Sequence, residues 1–277
     1  MPHVDLTDRV IAITGASSGI GAATAIACAR AGMHTALLAR RADRLELVAQ
    51  RVRAIGRRAI VVPGSVDMPE DSARLLDAAE RELGPVYAAF ANAGYGQRTP
   101  TIDMPIDDIR RMFEVNFYGS LHLLTPAADR MRARAEGHLL LCSSCLSKLG
   151  LPNYGCYSST KACQDHFGRA WRHELRAQHV LVSTVHPIGT STEFSEAARR
   201  ASGEPPTVPE RPGRHTQPPE RVAGAIVRQL RRGRAGEIWT SRPAQLAFGL
   251  ANVFPGLTDR ALARWDANRA REPDARD

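Results

Sequence analysis

Near its N-terminus the chain passes from an apolar stretch, residues 9–14, into Gly15-Ala16-Ser17-Ser18-Gly19-Ile20-Gly21 and then into a helix-forming run. Few folds tolerate that order. Closely spaced glycines make a tight turn and let an anion approach the backbone N–H groups of a helix N-terminus, where the helix dipole favours negative charge. Between a buried strand and a helix, such a turn reads as a diphosphate cradle. It predicts cofactor contacts from Gly15, Ser17, Ser18, Gly19, Ile20 and Gly21.

The rest of the chain repeats the same alternation. Apolar runs at 34–39, 59–63, 86–91, 137–142, 180–186 and 237–240 read as buried strands. Stretches at helical spacing lie between them, at 19–31, 41–55, 69–83, 107–134, 154–177 and 219–232. Strands separated by helices imply βαβ units and a parallel sheet covered on both faces. Right-handed crossovers make that sheet doubly wound. The expected fold is therefore α/β: a Rossmann-type parallel sheet of about seven strands in one domain over residues 1–242. Residues 243–277 read as a helical C-terminal extension. Within the domain, residues 190–218 break the rhythm with a cluster of prolines and glycines and read as a substrate lid.

Several classes are set aside by composition. The formal charge of +8 invites nucleic acid as a partner, but the arginines are dispersed among acids with no aromatic-laced basic stripe. Asp5, Asp8 and Arg9 leave no room for a signal peptide, and the longest apolar run, 244–257, is too short to cross a bilayer. Interrupted by Asn252 and Pro255, that run reads as a buried or interfacial helix. The five cysteines are scattered through apolar segments and fit reduced thiols in a cytoplasmic protein. Cys142 and Cys145 form a CxxC without a second pair or a histidine cluster, so no metal site is expected. Of 37 basic residues only Lys148 and Lys161 are lysines. A lysine here marks a place where guanidinium does not serve.

One of those lysines completes Tyr157-Ser158-Ser159-Thr160-Lys161. Residues i and i+4 share a helix face, so phenol and ammonium can reach one spot. A phenol of pKa about 10 exchanges protons poorly at neutral pH, and a nearby cation lowers that value. Ser144 stands thirteen residues earlier, at the end of a strand, with Ser143 as its neighbour. A hydroxyl there can hold a substrate oxygen beside the phenol. Asn116 sits mid-helix, where asparagine is a poor helix former. After the second strand, where an acid would bind the ribose of NAD, the chain has Arg40-Arg41, and guanidinium suits a 2′-phosphate.

TGASSGIG, the Tyr–Lys pair and the Ser–Tyr spacing together resemble the short-chain dehydrogenase/reductase family, over about residues 5–240. The resemblance implies a catalytic tetrad of Asn116, Ser144, Tyr157 and Lys161, with Asn116 holding a water that links Lys161 to solvent. It implies further cofactor contacts from Asn92-Ala93-Gly94 after the fourth strand, although Ala91 replaces the family's first Asn. Ser65 and Val66 stand where relatives carry Asp-Val, with Asp67 displaced by two. Pro187, Ile188, Thr190 and Thr192 fall on the family's PGxxxT segment, with Ile188 in place of its first Gly. Tyr157 and Lys161 are expected to touch the cofactor as well as the substrate. His186, at a strand end, reads as structural.

The expected activity is hydride transfer between NADP(H), rather than NAD(H), and a carbonyl or secondary alcohol. Leu146, Leu149, Leu151, Tyr154 and Phe194 suggest an apolar substrate. The alternative is a catalytically silent NADP-binding scaffold or regulator; an epimerase or dehydratase is disfavoured by the glycine spacing. A homodimer or homotetramer is expected through helices 107–134 and 154–177. The C-terminal tail is left three roles: packing on a partner copy, covering the cleft, or peripheral contact with a membrane.

Overall fold

The computed structural model describes residues 3–190 and 216–269, with side chains to residue 264. Seven strands form one parallel sheet: β1 (Val10–Thr14), β2 (His34–Ala39), β3 (Ala59–Pro63), β4 (Val86–Ala91), β5 (Gly137–Cys142), β6 (Val180–His186) and β7 (Gly236–Trp239). Their order across the sheet is β3-β2-β1-β4-β5-β6-β7, every neighbouring pair parallel. β1, β2, β4 and β5 are buried along their whole length, which explains why they read as continuous apolar runs rather than alternating ones.

Two apolar layers sandwich the sheet. One face is covered by α1 (Gly19–Arg30), α2 (Ala42–Ala54) and α7 (Pro219–Arg232), through residues such as Ile26, Leu45 and Ile226. The other face is covered by α3 (Pro69–Glu82), α5 (Gly119–Arg134) and α6 (Gly155–Glu174), through Leu75, Leu123 and Trp171. Pro69 opens α3, where its missing N–H costs nothing, and Glu70 and Asp71 complement the dipole in the first turn. Each fully buried Leu or Ile contributes about 1.5–3 kcal/mol.

Strand order reverses between β1 and β4, so the chain leaves their carboxyl ends in opposite directions and opens a crevice there. The glycine turn follows β1, Asn92 follows β4, Ser144 follows β5 and Pro187 follows β6. The expected site residues that lie in the described parts therefore gather along this edge or on α6 above it, except Asn116, which lies between the helices that follow β4.

Two expectations are corrected. The stretch read as one helix over 107–134 is broken into α4 (Ile106–Phe113), a π-turn (Glu114–Tyr118) and α5. The break falls at Asn116 and not at Pro126, which α5 accommodates. Of the two readings of 244–257, buried or interfacial, the structure removes the first: the run spans α8 (Arg242–Val253) and the start of α9 (Pro255–Arg269), and none of α8 is buried. Leu246, Leu250, Val253, Phe254 and Leu257 are exposed. Among the described residues no helix is long and apolar enough to cross a membrane. Most of the segment expected as a lid, with Thr192 and Phe194, lies outside the described residues.

Candidate active site

At the cofactor end, Gly15 adopts φ +64° and Gly19 φ +55°, left-handed values that glycine reaches without steric cost. A Cβ on Gly15 would stand 2.8 Å from the Ala93 Cα, and one on Gly21 would run into the Gly15 carbonyl and the Asn92 amide. Backbone, not side chain, lines this turn. Ser18 caps α1 without a side-chain bond to its N–H groups.

Asn92 holds the turn from behind. Its Nδ2 donates to the carbonyls of Thr14 at 3.1 Å and Gly15 at 3.2 Å, while the Thr14 hydroxyl accepts from the N–H groups of Asn92 and Ala93. Thus the β1 and β4 ends are stitched together by one amide and one hydroxyl. Gly94 lies at the next position, where a Cβ would sit 3.0 Å from Asn116 Oδ1 and 3.4 Å from Lys161 Nζ. Glycines hold backbone clear along the whole line from the turn to Lys161, which fits an extended dinucleotide.

Arg41 reaches over the turn. Its guanidinium donates to the hydroxyls of Ser17 (3.2 Å) and Ser18 (3.0 Å), while Arg40 is exposed at the end of β2. Ser65 donates its N–H to Asp71 Oδ2 at 2.8 Å, and the Val66 carbonyl meets His122 Nδ1 at 2.8 Å. The Asp67 Oδ1 is buried without a hydrogen-bond partner. Pro187 accepts from the Cys145 N–H at 3.1 Å; the Ile188 carbonyl accepts from Thr190 Oγ1 and from Gln217 Nε2.

At the catalytic end, Tyr157 and Lys161 stand one turn apart on α6, both buried. The Lys161 Nζ donates to the Cys142 carbonyl (2.8 Å) and to Gln164 Oε1 (2.9 Å), and lies 5.7 Å from the centre of the Tyr157 ring. The Ser144 side chain lies close enough to the tyrosine hydroxyl to influence its pKa, and its Oγ accepts from the Leu146 N–H at 3.1 Å. Ser143 is spent elsewhere: its hydroxyl donates to the Lys161 carbonyl at 2.9 Å. Geometry therefore separates two serines that the sequence offered side by side.

Burial pushes the Tyr157 phenol above its usual range, and the nearby Ser144 side chain pulls it back down. The expected lowering by Lys161 does not appear in this arrangement. Burial lowers the lysine's own pKa, since taking either group out of water disfavours its charged form. What the pair has is a low-dielectric pocket, in which any added charge or dipole acts strongly.

Asn116 lies in the π-turn, fully buried. Its Oδ1 accepts from the Tyr95 N–H at 2.9 Å, and its Nδ2 donates to the Tyr95 carbonyl at 2.8 Å and the Thr160 hydroxyl at 3.1 Å. The π-turn aims its backbone carbonyl at Gln164, whose Nε2 donates to it at 2.7 Å. Asn116 is thus connected to Lys161 through Gln164 and braces the loop after β4. Sequence reading missed Gln164. Its signal was available: it sits three residues after Lys161 and seven after Tyr157, on the same helix face.

Met104, Met112, Cys156 and Tyr157 form a small apolar cluster, with Tyr95, Ile109 and Leu146 packed against it. Of the expected cleft wall, Leu146 takes part directly, while Leu149, Leu151 and Tyr154 lie half-buried nearby in sequence.

Comparison with known proteins follows the same lines. The sequence profile of the short chain dehydrogenase family matches residues 9–203. Glycine betaine reductase ATRR of Emericella nidulans is 35% identical over 237 residues, 83% of this chain but 18% of that much longer protein. The 11-beta-hydroxysteroid dehydrogenase-like 3 of Arabidopsis thaliana is 30% identical over 261 residues, 92% of this chain and 80% of the relative. Among solved structures, an alcohol dehydrogenase from Thermococcus sibiricus, complexed with 5-hydroxy-NADP, is 28% identical. It superposes with a TM-score of 0.72 over 83% of this chain and 94% of its own. Structural neighbours include complexes with NAD as well.

Proposed function

The chain belongs to the short-chain dehydrogenase/reductase family, and within it we propose an NADP(H)-dependent oxidoreductase acting on a carbonyl or secondary alcohol of an apolar small molecule. The observation that carries the reading is the convergence of Ser144, Tyr157 and Lys161 at one buried point beside the glycine cradle. When bound, the nicotinamide supplies or takes the hydride. The protein does the rest. Ser144 and Tyr157 hold the substrate oxygen, and Tyr157 gives it a proton during reduction or takes one during oxidation. Lys161, 5.7 Å from the centre of the phenol ring, would hold the ribose hydroxyls of the bound cofactor. Gln164 and Asn116 fix its position.

Support for a phosphorylated cofactor comes from the end of β2, where Arg40 and Arg41 replace an acid and Arg41 already spans the cradle's serines. Leu146 and its cluster support an apolar substrate. Exposed Tyr118 and Phe167, beside α5 and on α6, support assembly as a homodimer or homotetramer. Five free cysteines suit a reducing compartment such as the cytoplasm. Domain limits of 1–242 and 243–277, with a lid over 190–218, remain our division of the chain. The exposed apolar residues of α8 and α9 suit a partner copy or a membrane surface.

Calorimetric titration with NADPH and NADH at equal salt, followed by a carbonyl panel with the preferred cofactor, tests the reading. NADPH preference with hydride transfer supports it. Binding without any turnover supports the scaffold alternative, and NADH preference overturns the phosphate assignment.

A further inference from the structure

The second lysine of the chain lies outside the tetrad but just behind it. Lys148 ends the short turn Cys145–Lys148 that follows Ser144. Its Nζ donates to Asp165 Oδ2 on α6 at 2.6 Å and to Glu237 Oε1 on β7 at 2.9 Å. Three segments far apart in sequence meet on one ammonium, which a branched guanidinium would not fit in the same way.

His186, at the end of β6, completes the group. It is fully buried, with Nε2 3.4 Å from Asp165 Oδ1 and 3.0 Å from the Thr184 hydroxyl. Its ring stacks on Trp239, centroids 4.6 Å apart and planes 5° from parallel, and the Trp239 indole N–H donates to Glu237 Oε2 at 2.7 Å. Arg172 of α6 is near enough to feel both carboxylates. Asp165, His186 and Glu237 lie at distances that would suit a metal ion. Lys148 already supplies the cation between the carboxylates, so the group reads as an ion cluster.

The other ring nitrogen points at the active site. His186 Nδ1 is 3.1 Å from the Ser144 carbonyl and 3.5 Å from the Ser147 hydroxyl. A carbonyl only accepts, so Nδ1 carries the hydrogen of this bond. The neighbouring residue is clamped too, with the Cys145 N–H donating to the Pro187 carbonyl at 3.1 Å. The turn bearing Ser144 is therefore pinned to the end of β6 at two adjacent points, one backbone and one imidazole.

We propose that His186 is a positioning residue for hydride transfer: its Nδ1–H holds the Ser144 carbonyl and so aims the Ser144 hydroxyl at Tyr157 and the substrate oxygen. The Thr184 hydroxyl, donating to Nε2 at 3.0 Å, and the stacked Trp239 ring, itself anchored on Glu237, hold the imidazole in that orientation, as outer partners do for other reactive groups. The inference rests on the proposed oxidoreductase activity. It assigns a working role to a histidine whose strand-end position suggested only packing.

The test compares His186→Leu with His186→Asn, whose side-chain amide offers an N–H close to the place of Nδ1. His186→Leu is expected to lower kcat about 10–100-fold while leaving NADPH affinity unchanged. It also moves the ascending limb of the oxidation pH profile to higher pH, because the phenol loses the nearby Ser144 side chain that pulls its pKa down. His186→Asn is expected to restore most of kcat and the limb's position. Full kcat and an unmoved limb in His186→Leu would overturn the proposal, as would equal losses in both variants. If His186→Leu fails to fold, Thr184→Val takes its place; it removes the hydroxyl that donates to Nε2 and should loosen the ring and shift the same limb. Crystal structures separate the two readings. A wild type that turns over no ketone defeats the oxidoreductase reading, whereas Ser144 keeping its contact with Tyr157 in His186→Leu defeats the positioning role.

Discussion

Ser143 donates its hydroxyl to the main-chain carbonyl of Lys161 at 2.9 Å, so the end of β5 beside Ser144 is tied to the helix that carries Tyr157 and Lys161. Adjacent serines thereby acquire different duties. Ser143→Ala is expected to cost about 1 kcal/mol of stability, with kcat changed severalfold at most. Ser144→Ala is expected to lower kcat about 100-fold or more at little cost in stability. Denaturant midpoints and steady-state rates for the two variants check the split; a reversed pattern would mean that Ser143 is the serine facing substrate.

Lys161→Arg keeps the charge and loses the fit. The ammonium is buried between the Cys142 carbonyl and Gln164 Oε1, within 5.7 Å of the Tyr157 ring centre. A planar fork cannot make both bonds from one point. Activity is expected to fall to less than about a tenth of wild type. Retention above that level, measured as kcat/KM with NADPH, would remove Lys161 from its assigned role.

Much of this was legible in the sequence, and the parts that were not share a physical reason. Continuous apolar runs announced β1, β2, β4 and β5 because both faces of a parallel sheet are buried. The glycine turn and the Tyr157–Lys161 pair are local, so their spacing carried their geometry. Asn116 looked like a weak spot in one long helix, but the π-turn that places it depends on bonds to Tyr95 and Gln164, 21 and 48 residues away. The scarcity of lysine flagged Lys148 without naming its partners, since Asp165 and Glu237 reach it only once α6 and β7 are packed. The run at 244–257 was apolar enough to read as buried or interfacial; its residues are exposed, and what packs on them is not recorded in periodicity.

Gly21 offers a direct check on the cradle. A Cβ there would strike the Gly15 carbonyl and the Asn92 side chain that supports it. Gly21→Ala should weaken NADPH binding more than about tenfold, read by calorimetry, while the far-UV spectrum stays that of the wild type. Unchanged affinity would show that the cofactor does not use this turn.

Acid sensitivity should trace in part to His138. It is fully buried in β5, with Nε2 2.8 Å from the Ser183 hydroxyl, and burial pushes its pKa down to about 3. An unfolded histidine titrates near pH 6.5, about 3.5 units higher. The folded state therefore refuses a proton that the unfolded chain accepts between pH 6.5 and about 3. The stabilisation is complete above pH 6.5 and is lost as pH falls through that window. Linkage gives a loss of about 2 kcal/mol between pH 7 and pH 5. His138→Gln, with no proton to take up, should show a urea midpoint flatter by that amount over the same interval; an unchanged slope would assign the acid sensitivity elsewhere.

Arg40 and Arg41 should divide the recognition of a 2′-phosphate unequally. Arg41 is held by two hydroxyls of the cradle and so meets a phosphate with little entropy left to lose, whereas Arg40 is exposed at the strand end. Each charge-assisted bond is worth about 1.5–3 kcal/mol, and two parallel ones add geometric selectivity. Arg41→Ser is therefore expected to weaken NADPH binding about 10–100-fold and to leave NADH binding nearly unchanged. Arg40→Asp goes further in one respect, because an acid at the end of β2 repels phosphate and can accept bonds from the ribose of NAD. That variant should lose NADPH preference and gain NADH affinity. Paired titrations at two salt concentrations make the comparison decisive, since a phosphate contact weakens with salt and a ribose contact does not. If both variants lower the two affinities equally, the arginines shape the turn and do not read the phosphate.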